Sequence, residues 1–182
     1  MARNLIITFM ALLMLGCSTS PDPTSTNTWK AAVDEQLPLL GHRNWILVVD
    51  KAFPAQNGDG ITVVNSGEPL FTVLDYVLQQ TQLSTHITPL VYTDRELSYL
   101  TPGMVPGIEE FRGELYTKLG SYELQTLLHE EVFTKIDEAA RLFRVLVIKT
   151  EATIPYSSVF LELDCAYWTP AQEALLRERM AN

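Results

Sequence analysis

Residues 45–50, WILVVD, form an uninterrupted apolar run closed by an aspartate. A short run with no polar face reads as a strand buried on both sides, since a half-solvated strand alternates apolar and polar residues. RVLVIKT at 144–150 and VFLEL at 159–163 have the same character. A sheet of such strands needs cover on both faces, and the intervening segments supply helical spacing. Ala32, Val33, Leu37 and Leu40 recur at helical intervals in 29–40, with Pro38 marking a break. In PLFTVLDYVLQQ, Pro69 opens a helix lined on one face by Leu70, Val73, Leu74 and Val77. IEEFRGELYTKLG is helical and ends at Gly120; 122–143 reads as another helix, open to an interruption near His129 to Phe133. The tail, 169–182, is a short amphipathic helix with Pro170 near its start. ITVVN and HITPLVY are further strands, and Pro89 confines the second to an edge or a bulge. This alternation predicts a single α/β domain built in layers, without internal repeats.

With 182 residues, 47% of them hydrophobic, one domain can bury a core without disulfide staples. The net charge of −9 and the absence of any Lys/Arg cluster argue against nucleic acid as a partner. The amino terminus reads as a processing segment. Residues 1–16 carry Arg3 and an apolar run from Leu5 to Leu15, the length of a signal-peptide core and short for a bilayer span. Gly16-Cys17 follows directly, resembling a bacterial lipobox in which Cys17 is acylated. An ordinary signal peptide with a chance cysteine is the alternative. The polar stretch after Cys17, to residue 28, suits a flexible tether. The expectation is therefore an exported, membrane-anchored lipoprotein with its folded domain at 29–168 and a helical extension at 169–182. Cys165 is then left without a disulfide partner and reads as a small core residue. No Cys/His spacing suggests a metal, and none is expected.

Three histidines are present: His42, His86 and His129. His42 follows Gly41 in a loop before WILVVD, and Asp50 closes that strand. Taken alone, the pair fits a solvated loop histidine and a turn-capping aspartate. It also fits a catalytic pair, if the fold or a neighbouring subunit returns both ends to one pocket. His86 reads as a packing or surface residue. His129, in LLHEEVF, has two glutamates that would raise its pKa if they faced it. Tyr156 with Ser157 and Ser158 stands at the entrance of the last apolar strand, where packing is the ordinary role of a tyrosine.

The stretch LGHRNWILVVDKAFP resembles the signature of the ribose pyranase/fucose mutarotase (RbsD/FucU-like) family, with Gly41, His42, Asp50 and Pro54 at the family spacing. The likeness continues through GITVVNSGEPLFTVLDYVL and TPLVY to LVIKTEATIPYSSVFLEL, covering roughly 38–163. It implies a three-layer α/β/α fold, homo-oligomeric rings with sites at subunit boundaries, and cofactor-free interconversion of monosaccharide ring forms or anomers. On this resemblance His42 is the general acid/base, Asp50 orients it or accepts a sugar hydroxyl, and Tyr156, Ser158 and His129 contact the sugar. The chain departs from the pattern at three places. Ser158 stands where relatives have Asn, the 151–156 loop is one residue longer, and a mid-chain histidine of some relatives matches Phe133 without a gap and His129 with a shift of four. The carboxyl-terminal extension with Trp168 lies outside the pattern and is expected to cover the site or an interface. A non-catalytic carbohydrate-binding or structural envelope protein on the same fold is the alternative function.

Overall fold

The structure is a computed structural model that describes residues 28–181. Six strands form one sheet in the order β2-β5-β1-β6-β3-β4. In chain order they are β1 (Trp45–Val49), β2 (Ile61–Asn65), β3 (Ile87–Asp94), β4 (Leu124–Leu127), β5 (Val145–Lys149) and β6 (Val159–Cys165). β1 runs parallel to β5, and β5 to β2; β6 is antiparallel to both β1 and β3, and β4 is parallel to β3. Five strands thus point one way and β6 returns between them. The carboxyl ends of the five therefore share an edge with the amino end of β6.

Alternate residues of the apolar runs face opposite layers, as strand geometry requires. Ile46 and Val48 join Leu146, Ile148, Val159 and Leu161 in one core. That core is closed by Trp29 and Val33 of α1 (Thr28–Gln36), Val73, Leu74 and Val77 of α2 (Leu70–Leu83), and Ile108 and Leu115 of α3 (Ile108–Leu119). Trp45, Leu47, Val49, Val145, Val147 and Phe160 face the other way, onto Val132 and Ile136 of α4 (His129–Ala140). Every residue of β1 is buried, because both sheet faces are covered. The result is the expected α/β/α layering.

The differences from the sequence reading have local causes. Leu124–Leu127 is strand β4 rather than helix, since its backbone pairs with Val91–Asp94 at the edge of the sheet and tertiary pairing overrides local propensity. The helix then begins at His129, inside the stretch where an interruption was expected. Pro89 is accommodated because β4 reaches only Val91–Asp94, so the Pro89 segment has β6 alone as a neighbour. Cys165 is not in the core: it is a free, partly exposed thiol at the end of β6. The tail forms α5 (Pro170–Ala181) but buries none of its residues, leaving Leu175, Leu176 and Met180 exposed. Cys17 and the proposed leader lie outside the described residues.

Candidate functional site

Because the strand directions agree, Asp50 after β1, Asp94 at the end of β3, His129 after β4, and Tyr156 and Ser158 before β6 collect along one sheet edge. Asp50 is held firmly there. Its Oδ1 accepts the Ala52 backbone N–H at 2.8 Å, and its Oδ2 accepts the Ser158 hydroxyl at 3.0 Å. The Asp50 backbone N–H donates to the same hydroxyl at 3.2 Å. Ser158 is only 1% exposed. Its hydroxyl is therefore engaged in positioning Asp50 from both directions. Asp50 lines a cleft of about 320 Å³ with Lys51, Ala52, Thr153, Ile154 and Pro155.

Behind it lies a group that sequence reasoning missed. Asp94 is 1% exposed, and neither carboxylate oxygen has a directed hydrogen bond. Oδ1 lies 3.1 Å from His129 Nδ1, close enough for an ion pair but not aligned as a hydrogen bond. Burial pushes the Asp94 carboxyl up to about 6; His129 opposes that rise, while Glu96 and Asp50 add to it. The carboxylate facing His129 is thus Asp94, not Glu130 or Glu131. Glu131 instead accepts the Leu128 N–H at the start of α4, and Glu96 accepts the His129 N–H at 3.1 and 3.2 Å.

The His129 imidazole is also held by aromatic rings. Tyr156 meets it edge-on at 5.4 Å and Phe133 at 4.8 Å, and Phe133 stacks on Phe53 at 5.2 Å. Phe133 and His129 are one helical turn apart, so both candidate positions for the mid-chain histidine fall at one place. Tyr156 has a φ of 58°, the left-handed region that a non-glycine residue adopts at some energetic cost. The Asp94 signal was present in the sequence: PLVYTD ends an apolar strand in aspartate just as WILVVD does.

His42 is elsewhere. It precedes β1, at the end opposite Asp50. Its Nδ1 lies 2.7 Å from Asp164 Oδ1, and its Nε2 accepts the Arg43 Nε–H at 3.2 Å. Those two partners assign the proton to Nδ1. Arg43 has a φ of 73°, so the backbone is turned sharply beside this imidazole as it is at Tyr156. His86, at the same end, bonds the Leu40 carbonyl through Nε2 at 3.0 Å, in keeping with a packing role. One chain therefore brings Asp50, Asp94, His129, Tyr156 and Ser158 to one edge and leaves His42 at the other. Among the described residues no cluster of three or more His, Cys, Asp or Glu could hold a metal ion.

The architecture defines a mixed α/β sheet protein with acidic and imidazole groups at its strand ends. No protein-family model and no curated protein matches the chain. Among solved structures it is similar to RbsD of Bacillus subtilis complexed with D-ribose, at 18% identity and a TM-score of 0.53, over 74% of this chain and 92% of that one. It also matches a fucose mutarotase of Streptococcus pneumoniae in complex with L-fucose, at 16% identity and a TM-score of 0.49, over 73% and 91% of the two chains. The chain has the RbsD/FucU-like fold expected from its sequence.

Proposed function

We propose that the protein interconverts anomeric or ring forms of a monosaccharide by acid/base catalysis without a cofactor. The observation that carries this is the buried, poorly partnered Asp94 against His129, beside a rigidly held Asp50, on a fold shared with a ribose-complexed protein. Opening a cyclic hemiacetal breaks the bond between the anomeric carbon and the ring oxygen. The proton on the anomeric hydroxyl goes to a base, and an acid delivers one to the ring oxygen. The open carbonyl form then recloses from its other face or through another hydroxyl. An imidazole and a carboxyl that burial raises to about 6 suit these two transfers. Asp50 accepts a sugar hydroxyl, the Asp94–His129 pair moves a proton, and Tyr156 braces the His129 ring.

His42 enters this chemistry from a second copy. Eight residues of mostly extended chain place it roughly 20 Å or more from Asp50, so a site holding both spans two subunits. Saturation-transfer NMR on a panel of pentoses and hexoses that includes D-ribose and L-fucose tests the function. At least one sugar is expected to exchange between its forms faster with protein than in buffer. Exchange at the buffer rate for every sugar sinks the reading.

We also propose that the domain is exported and held on a bacterial membrane through acylated Cys17, which rests on the Gly16-Cys17 pattern and the polar tether. No helix among the described residues is long and apolar enough to cross a membrane. Cys17→Ser is expected to move the protein from the membrane to the soluble fraction, and unchanged membrane retention would remove the anchor.

A further inference from the structure

The carboxyl-terminal extension builds a second cleft, at the His42 end. It has a volume of about 510 Å³ and is lined by His42, Asp164, Tyr167, Trp168 and Glu173. Local chemistry explains why the chain turns here. Thr169 and Gln172 form a reciprocal cap on α5: the Gln172 N–H donates to Thr169 Oγ1 at 3.2 Å, and the Thr169 N–H to Gln172 Oε1 at 2.8 Å. Pro170 fits the first helical turn. The capped turn fixes Trp168, whose indole N–H donates to Glu173 Oε2 at 2.9 Å, while Arg177 holds the other oxygen of that carboxylate at 2.6 Å. Trp168 is nonetheless 41% exposed.

A flat, anchored, solvent-facing indole that shares a cleft with an imidazole and two carboxylates fits one ligand chemistry well. The C–H face of a sugar ring packs on the indole, and the hydroxyls at its rim bond carboxylate oxygens. We propose that Trp168 is a sugar-stacking, specificity-determining residue, and that the cleft between it and the His42–Asp164 pair receives the pyranose ring of a monosaccharide. Asp164 is a positioning residue that holds the His42 ring toward that cleft. The inference rests on the sugar-interconversion reading and extends it, placing a chain-specific aromatic wall beside the histidine that one copy lends to the next.

Fluorescence tests it without relying on turnover. Trp29 and Trp45 are each 2% exposed, so a neutral quencher such as acrylamide reports mainly on Trp168. The full chain is titrated with the same panel, D-ribose first. A bound sugar is expected to protect Trp168 from acrylamide saturably, and Trp168→Phe to abolish that signal while keeping most of the affinity. Where exchange occurs, Trp168→Ala is expected to raise the half-saturating sugar concentration roughly five- to tenfold, with the limiting rate within about twofold. Half-saturation unchanged within twofold in Trp168→Ala overturns the inference, as does exchange without protection. Protection without exchange supports the sugar cleft and overturns only the catalytic reading. Absence of both overturns both.

Discussion

Asp94→Asn is expected to leave the protein more stable at pH 7.5 than its parent and at least about a hundredfold slower in sugar exchange. The two effects share one cause. Asp94 is buried, lacks a directed hydrogen bond, and has its carboxyl raised from 3.8 to about 6. Since the folded state binds this proton more tightly than the unfolded chain does, its favourable contribution is complete below about pH 4. It is lost as pH rises through about 6, amounting to on the order of 1–3 kcal/mol. Asparagine has the same shape and never ionises, so it escapes that loss. Denaturant unfolding should show parent and variant alike near pH 4 and a gap in favour of the variant opening by pH 7. A parent that is the more stable protein at pH 7.5 would show that Asp94 is held as a satisfied ion pair with His129.

The kinetic half follows from the same carboxylate. To take a proton from His129, Asp94 must be ionised, so the parent's exchange rate rises with pH through about 6. The variant lacks that limb. Stability and activity therefore move in opposite directions, as is common where an active site holds a strained or poorly solvated group.

How far the sequence led depended on whether the deciding contact was local. The apolar runs of β1, β5 and β6 declared their burial because two-sided cover leaves no polar face to mislead. LQTL did not declare β4, because four residues carry little period and what fixes them is pairing with β3, 33 residues earlier in register. Asp50 was legible only through the family-like placing of Gly41, His42, Asp50 and Pro54, and Asp94 was not, although both end strands in the same way. Its meaning comes from His129, 35 residues later, lying 3.1 Å away. Ser158 was expected to touch the sugar in place of an amide, but its hydroxyl is turned back onto Asp50. The Trp168 turn was visible only as a tail outside the family pattern. Its capping pair is written in TPAQ, whereas the cleft it makes with His42 depends on β1 and β6 being neighbours.

Mixing two inactive variants should restore activity. His42→Ala keeps Asp50 but loses the imidazole, and Asp50→Ala keeps His42 but loses the carboxylate; each alone is expected to lose most exchange. The two residues bracket β1, which is an extended and wholly buried strand, so no side-chain rotation within a copy brings them together. A site that needs both is filled only when one copy's His42 end meets another copy's Asp50 end. In a reassembled equal mixture, a functional site requires an Asp50→Ala chain supplying His42 and a His42→Ala chain supplying Asp50, at adjoining positions. Random assembly puts that combination at about one site in four, whether the contact closes a two-fold dimer or a ring. Recovery to about a quarter of parental exchange after co-refolding, with none on mixing without subunit exchange, is the expected result. If co-refolded mixtures stay as inactive as their components, while heteromers are confirmed by mass, His42 and Asp50 do not share a site. The acid/base work then belongs to Asp94, His129 and Asp50 within one chain, and a parental level of exchange in His42→Ala alone would show the same thing from the other side.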